Sequence, residues 1–167
     1  MLKRVRKVGS SPAGVSARVA VVASEYNRKH VDSLLDGALG ALREAGVEGE
    51  IVRVPGAFEI PLAAECLAAR GDIAAVICLG VIIRGETSHA DLVGESVTRA
   101  LMDIGLRHRI PVIHEVLLVA NRAQADVRCL DPGHNRGVEA AGTALAMVRL
   151  LGKWRRKPKV SPSDGRE

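Results

Sequence analysis

The chain has 167 residues, 47% of them hydrophobic, which is enough for one domain with a substantial core. Its formal charge of +5 is concentrated at the ends, because residues 1–8 and 153–167 each carry a net +4 and the body between them carries −3. Only 2% of the residues are aromatic, which argues against a nucleic-acid-binding domain, and no apolar run is long enough to span a membrane. We therefore interpret the basic ends as solvated tails and expect neither nucleic acid nor membrane as a partner.

The cysteines and the amino-terminal sequence indicate the cellular compartment in which the protein is located. Cys66, Cys78 and Cys129 are odd in number and form no CxxC pair, a pattern typical of reduced thiols rather than of disulfides or a metal cluster. The basic start of the chain lacks the apolar centre of a signal peptide. A cytoplasmic protein without a metal site is expected.

The first half of the chain predicts two pairs of strand and helix. Residues 1–17 combine basic residues with glycine, serine and proline and predict an extended arm. Arg18 to Ser24 is apolar nearly throughout and predicts a central strand, and the apolar spacing from about His30 to Ala45 predicts an amphipathic helix. Glu50 to Val54 predicts a short strand near an edge, and Ala57 to Arg70 predicts the following helix.

The second half repeats the alternation. Ala75 to Leu79 is a continuous apolar run bounded by Gly80, which predicts a strand buried on both faces. Further segments predict a long helix, a strand and two more helices, in this order: His89 to about Arg107, Pro111 to Val119, about Arg122 to Cys129, and Val138 to Leu151.

This order of elements predicts the fold class. Strands that alternate with helices imply right-handed crossovers and a four-stranded parallel sheet between two helix layers, a three-layer α/β/α sandwich of the flavodoxin-like class. The domain is expected to span residues 18–152, and the basic, proline-bearing residues 153–167 predict a disordered tail.

Polar and aromatic residues that are scarce elsewhere in the chain lie at three of the junctions between a strand and the following helix. These junctions are SEYN from residue 24, VPGAFE from residue 54 and VIIRGETSH from residue 81. Parallel strands end at one edge of the sheet, where ligands bind, so the three junctions are expected to share one cavity. Helix amino ends favour anions, and imidazole titrates near neutrality, so the pattern predicts an anion site beside a proton-transfer group, His89.

The same segments carry a resemblance to a known family. PGAFEIP, IRGETSH, QADVRC and NRGVEAA, in order over about residues 18–150, resemble the motifs of 6,7-dimethyl-8-ribityllumazine synthase. The resemblance implies a transferase without metal or cofactor. It would condense 5-amino-6-(D-ribitylamino)uracil with 3,4-dihydroxy-2-butanone 4-phosphate, giving the lumazine, phosphate and water in the penultimate step of riboflavin biosynthesis.

The resemblance also implies the site residues. His89 would move the proton and is the candidate catalytic residue. The candidates for binding the ribitylaminouracil are Tyr26, Ala57, Phe58, Glu59, Val81, Ile82, Ile83 and His114. The candidates for binding the phosphate are Gly85, Glu86, Thr87 and, from a neighbouring subunit, Arg128.

Structural interpretations of these residues remain open at this point. Tyr26 could cover an edge of the core, Phe58 could be a core residue, and His89 could cap its helix. Arg84 is interpreted as an ion-pair partner rather than a substrate contact. Where many relatives read PVIFGVLT this chain reads PVIHEVLLV, which puts His114 at a stacking position and leaves the glutamate after it without an explanation.

The resemblance implies a homopentamer with active sites between subunits, in which the arm pairs with the sheet edge of a neighbour. It leaves open a closed icosahedral shell of pentamers and a partnership with riboflavin synthase. Two other functions are weighed: a catalytically silent shell-forming or flavin-binding homologue, and a flavodoxin-like mononucleotide module. The combination of His89, Arg128 and the IRGETSH segment favours the enzyme.

Overall fold

A computed structural model describes residues 18–155 of the chain. The predicted arm, residues 1–17, and residues 156–167 of the predicted tail lie outside the described residues. The strands and helices follow each other in this order: β1 Arg18–Ser24, α1 Arg28–Glu44, β2 Gly49–Val54, α2 Ile60–Ala68, β3 Ile73–Ile83, α3 His89–His108, β4 Val112–Val119, α4 Arg122–Cys129 and α5 Arg136–Arg155.

The four strands form one parallel sheet in the order β2-β1-β3-β4. The strand β1 is central, as its apolar sequence predicts, and β2 is at an edge. Helices α1, α4 and α5 pack on one face of the sheet, and α2 and α3 pack on the other. The predicted three-layer α/β/α sandwich is confirmed.

The core is built from small aliphatic side chains that alternate between the two faces. In β1, Val19, Val21 and Ala23 face the first helix layer, whereas Ala20 and Val22 face the second. All three aromatic residues of the chain are instead exposed: Tyr26 by 74%, Phe58 by 64% and Trp154 by 69%. Since aromatic side chains gain the most from burial, their exposure indicates a use other than packing.

Two predicted boundaries differ from the structure. Strand β3 does not stop at Gly80 but continues to Ile83. A Cβ at Gly80 would lie 3.1 Å from side-chain atoms of both Ile60 and Val116, so this glycine provides space between packed layers rather than a turn. Helix α5 continues past Gly152 to Arg155, so residues 153–155 are helical rather than part of the tail. Within residues 18–155, no helix is both long and apolar enough to cross a membrane.

Glycine allows α5 to approach α1 very closely. A Cβ at Gly137 would lie only 1.9 Å from the carbonyl oxygen of Leu34, a backbone atom that cannot move aside. Next to this contact, the buried side chain of Asn135 donates to the carbonyl of Ser33 at 2.9 Å and to that of Cys129 at 2.7 Å. The contact therefore fixes α5 against α1 and the end of α4.

We expect Gly137→Ala to destabilise the fold by about 3 kcal/mol or more, because the added methyl group forces α5 away from α1. Gly40→Ala is the matched control. Gly40 also lies within a helix but has open space at its Cβ position, so alanine should stabilise the protein by about 0.5 kcal/mol or more. Urea unfolding of both variants measures these changes, and equal stabilities would contradict the close contact.

Candidate active site

A cavity of about 650 Å³ opens at the edge of the sheet where the strands end. The three junctions singled out in the sequence all contribute to its lining. The predicted site residues that line it are Tyr26, Ala57, Phe58, Glu59, Val81, Ile82, Ile83, Gly85, Thr87 and His89. The parallel sheet thus brings together most of the candidates within a single chain.

The junction after β1 is tied to both of its neighbours. The backbone N–H of Tyr26 donates to the carbonyl of Pro55 at 3.1 Å, and the side-chain amide of Asn27 donates to the carbonyl of Val81 at 2.7 Å. Asn27 adopts the left-handed conformation with φ 56°, which asparagine tolerates better than most residues. These contacts hold the Tyr26 backbone while its ring stays exposed in the cavity, so the ring does not cover the core.

The junction after β2 presents an aromatic ring and a carboxylate. Residues Ala57–Glu59 form a short 3-10 turn that precedes α2. Phe58 lines the cavity and is exposed, so it is not a core residue. A Cβ at Gly56 would lie 2.9 Å from Oε2 of Glu59, which shows that this carboxylate lies against the Gly56 backbone.

The junction after β3 forms an exposed loop anchored at its first residue. The N–H of Arg84 donates to the carbonyl of Val119 at 2.9 Å, and its guanidinium donates twice to Asp91 Oδ1, at 2.9 and 2.6 Å. Arg84 is therefore an ion-pair partner, as predicted. Asp91 lies in the first turn of α3, so the pair fixes the loop against the start of that helix.

His89 is the first residue of α3 and is exposed in the cavity. Its imidazole has no hydrogen-bonding partner among residues 18–155, and the residue at the cap position, Ser88, makes no side-chain cap bond either. The capping interpretation of His89 is thus not supported. The ring is available to exchange a proton with a molecule in the cavity.

Comparison with known proteins now identifies the family. A family model described as 6,7-dimethyl-8-ribityllumazine synthase matches residues 16–152. The chain belongs to this family.

Individual relatives are similar in sequence to this chain over most of its length. A 6,7-dimethyl-8-ribityllumazine synthase of Xanthobacter autotrophicus is 43% identical over 139 residues, covering 80% of this chain and 84% of that protein. One of Methylobacterium radiotolerans is 42% identical over 141 residues, covering 84% and 86%. A protein of Caulobacter vibrioides named 6,7-dimethyl-8-ribityllumazine synthase 1 is 39% identical over 144 residues, covering 84% and 94%.

Three predicted site residues of this lumazine synthase family member do not line the cavity. Glu86 lies in the exposed loop after β3. Arg128 lies on α4, where its Nη1 donates to the carbonyl of Gln124 at 3.2 Å. His114 lies on β4 and lines a separate apolar groove of about 450 Å³.

The side chain of His114 is held by its own chain. The Thr98 hydroxyl donates its proton to the carbonyl of Gly94 at 2.7 Å, so His114 Nε2 donates to Thr98 Oγ1 at 2.8 Å. Removal of water by the surrounding groove lowers the pKa of His114. This histidine therefore presents a neutral ring at the surface of the groove.

Two polar residues of the cavity lining, Asn27 and Arg122, are not among the predicted site residues. Asn27 lies in the predicted junction after β1, but its hydrogen bond to the carbonyl of Val81 depends on the order of the strands in the sheet. Arg122 lines the cavity from the first turn of α4. It belongs to the junction after β4, and four parallel strands imply four such junctions, so the signal was present in the sequence.

The structure explains the glutamate that follows His114. Glu115 is buried at 5% exposure, and its Oε1 accepts from Arg136 Nε at 2.9 Å at the start of α5. Burial raises the pKa of Glu115, and the nearby Arg136 only partly opposes this shift. The pair joins β4 to α5 and takes no part in the cavity.

We expect Glu115→Gln to gain stability relative to the parent protein as the pH rises. The folded state of the parent protein holds the Glu115 proton at pH values where the unfolded chain has lost it, because its folded pKa is raised. The stability from this group is therefore present at low pH and lost as the pH rises through the folded pKa. Urea unfolding of both proteins between pH 4 and pH 8 measures the gap, and a gap that is independent of pH contradicts the assignment.

Proposed function

We propose that the cavity is the active site of a 6,7-dimethyl-8-ribityllumazine synthase. The reaction joins 5-amino-6-(D-ribitylamino)uracil to 3,4-dihydroxy-2-butanone 4-phosphate and releases phosphate and water. One cavity contains the exposed rings of Tyr26 and Phe58 and the imidazole of His89, which has no partner among residues 18–155. The same cavity contains Gly85 and Thr87, from the loop at the amino end of α3, and this combination is the observation that carries the proposal. Family membership supports the same reaction.

The ribitylaminouracil occupies the side of the cavity formed by the ends of β1, β2 and β3. The ring of Tyr26 stacks on the pyrimidine, and the apolar residues Val81–Ile83 line the heterocycle. Ala57, Phe58 and the carboxylate of Glu59 hold the ribityl chain, whose hydroxyl groups donate to that carboxylate. Exposure of Tyr26 and Phe58 in the described chain supports these roles, since a bound heterocycle would cover rings that the core leaves in water.

The phosphate of the second substrate binds at the start of α3. Gly85, Glu86 and Thr87 form the loop, where backbone N–H groups and the Thr87 hydroxyl donate to phosphate oxygens. The first N–H groups of a long helix have no partner within the helix, and the helix dipole adds a favourable field for an anion. The absence of a side-chain cap at Ser88 leaves these donors available.

His89 transfers the proton. The 5-amino group of the pyrimidine attacks the ketone, and loss of water gives an imine. Phosphate then leaves from the butanone chain as a proton is removed from the adjacent carbon, and the resulting enol becomes a ketone. The ribitylamino nitrogen attacks this ketone, and loss of a second water completes the lumazine ring. An imidazole can accept and return that proton near neutral pH, and His89 lies beside the phosphate loop without a competing protein partner.

The active site is completed by a second subunit. We assign His114 and Arg128 to the cavity of a neighbouring chain, where the imidazole stacks on the heterocycle and the guanidinium binds the phosphate. Their position outside the cavity of their own chain supports this assignment. So does the exposure of Leu92, Met102 and Leu106 on α3, which is 61%, 64% and 68% respectively, because apolar side chains in a row favour association.

We propose a homopentamer, which is the assembly that the resemblance to the lumazine synthase family implies. The edge strands of the described sheet are β2 and β4, and an edge strand can pair with a segment of a neighbouring subunit. A cytoplasmic location is supported by the three cysteines, none of which is in a disulfide.

We expect His89→Ala to lower kcat by about 100-fold while KM for each substrate changes little, because the imidazole acts on the proton and not on binding. The absorbance of the lumazine product measures the rate. His108→Ala is the matched control, since it removes an imidazole at the other end of α3 that bonds to Glu65 at 2.9 Å. Full turnover by His89→Ala contradicts its role, and absence of lumazine with the parent protein contradicts the proposed function.

We expect light scattering to give the mass of five 17.7 kDa chains or of a larger assembly of pentamers. Met102→Glu places a charge in the apolar groove and should reduce both the mass and the turnover, because separated chains lack the neighbour's His114 and Arg128. Negative-stain images distinguish a ring from a closed shell. A monomer with full activity would contradict the shared site.

A further inference from the structure

We propose that Arg122 binds the phosphate of the butanone substrate from within the same chain, and that it selects for a phosphorylated substrate. This inference rests on the proposed function of the cavity and adds a residue to it. Arg122 is exposed in the cavity that also contains Gly85, Thr87 and His89. A guanidinium has a planar arrangement of donors that matches a phosphate group.

The strand order places Arg122 at the phosphate end of the cavity. Strand β4 pairs with β3, and the carbonyl of Val119 accepts from the N–H of Arg84 at 2.9 Å. Arg122 therefore begins α4 three residues beyond a direct contact with the loop that contains Gly85. Glu59 follows β2, which lies at the opposite edge of the sheet. The cation is thus near the anion loop and away from the carboxylate that would hold the ribityl chain.

Reciprocal hydrogen bonds fix the first turn of α4. Asn121 Oδ1 accepts from the N–H of Gln124 at 3.0 Å, and Gln124 Oε1 accepts from the N–H of Ala120 at 3.0 Å. The pair resembles a capping box, except that Gln124 returns its bond to Ala120, one residue before the cap residue Asn121. The backbone of Arg122 is held between these two bonds, so the arginine extends from a fixed point of the scaffold.

The charge of Arg122 is unfavourable where it stands without an anion. It lies at the amino end of a helix, where the dipole disfavours a cation. Its side chain forms no hydrogen bond or ion pair with any residue from 18 to 155, whereas Arg84 nearby is paired with Asp91. A phosphate in the cavity would provide the missing counter-charge. The position of Arg122 therefore favours the binding of an anionic ligand rather than the stability of the fold.

Arg122 and the proposed Arg128 of a neighbour would then act at different stages of assembly. Arg128 reaches the cavity only when subunits associate, but Arg122 and the loop of Gly85 and Thr87 belong to one chain. A phosphate can therefore bind to the isolated half-site, more weakly than to the complete one. The expected ligand class is a small phosphate monoester or inorganic phosphate, which is also the product that leaves.

The test compares Arg122→Gln and Arg122→Lys in steady-state assays with each substrate varied in turn. We expect Arg122→Gln to raise KM for the butanone phosphate about tenfold, while KM for the ribitylaminouracil stays within about twofold. Arg122→Lys should lie between the two, because it keeps the charge but loses the planar fork. Arg43→Gln, in the last turn of α1 at the other end of the molecule, is the matched control and should leave both constants unchanged.

Binding of inorganic phosphate gives a readout that does not depend on turnover. Calorimetry should show that Arg122→Gln binds phosphate about tenfold more weakly than the parent protein. If the parent protein binds phosphate through Arg122 but forms no lumazine, the proposed function fails, and the assignment of Arg122 as a phosphate-binding residue stands without the butanone substrate. If phosphate affinity and KM for the butanone phosphate are both unchanged in Arg122→Gln, or if KM for both substrates rises equally, the inference is overturned.

Discussion

The parallel pairing of β3 with β1 on one side and β4 on the other is the constraint on which the site depends. Because every strand runs in the same direction, every strand delivers its chain to the same edge of the sheet, and four segments distant in sequence meet there. The core supports this arrangement with small aliphatic side chains in alternation. Tyr26 and Phe58 are not needed in this core and lie at the edge, where a ligand can contact them.

Contacts at that edge hold the junctions in register with one another. The amide of Asn27 reaches the backbone of Val81, and the backbone of Arg84 reaches that of Val119, so neighbouring junctions are connected by direct hydrogen bonds. The side chains of His89 and Arg122, by contrast, have no hydrogen-bonding partner among residues 18–155. The fixed backbone places these side chains at defined points of the cavity edge, so part of the cost of ordering the site is met during folding.

The fold and most of the cavity follow from local patterns in the sequence. The strands of β1 and β3 are apolar runs, the helices have three-and-four spacing, and parallel order then predicts which junctions meet. Gly80 shows the limit, because a glycine that opens space between layers reads locally like a turn. Arg136, the partner of Glu115, lies 21 residues further along the chain, and no local pattern could predict that pair. Arg122 is different, because four parallel strands imply a junction after β4, although the sequence does not show which side chain of that junction lines the cavity.

The exposure of all three aromatic rings also determines what the intrinsic fluorescence of the protein reports. The single tryptophan lies near the end of α5, outside the cavity lining, and the single tyrosine lies within that lining. Tryptophan emission therefore reports on the outer end of a helix and changes little when the aliphatic interior melts. Tyrosine emission reports on occupancy of the cavity, since a heterocycle stacked on that ring would quench it. The chain thus contains two separate optical reporters, and neither of them monitors its core.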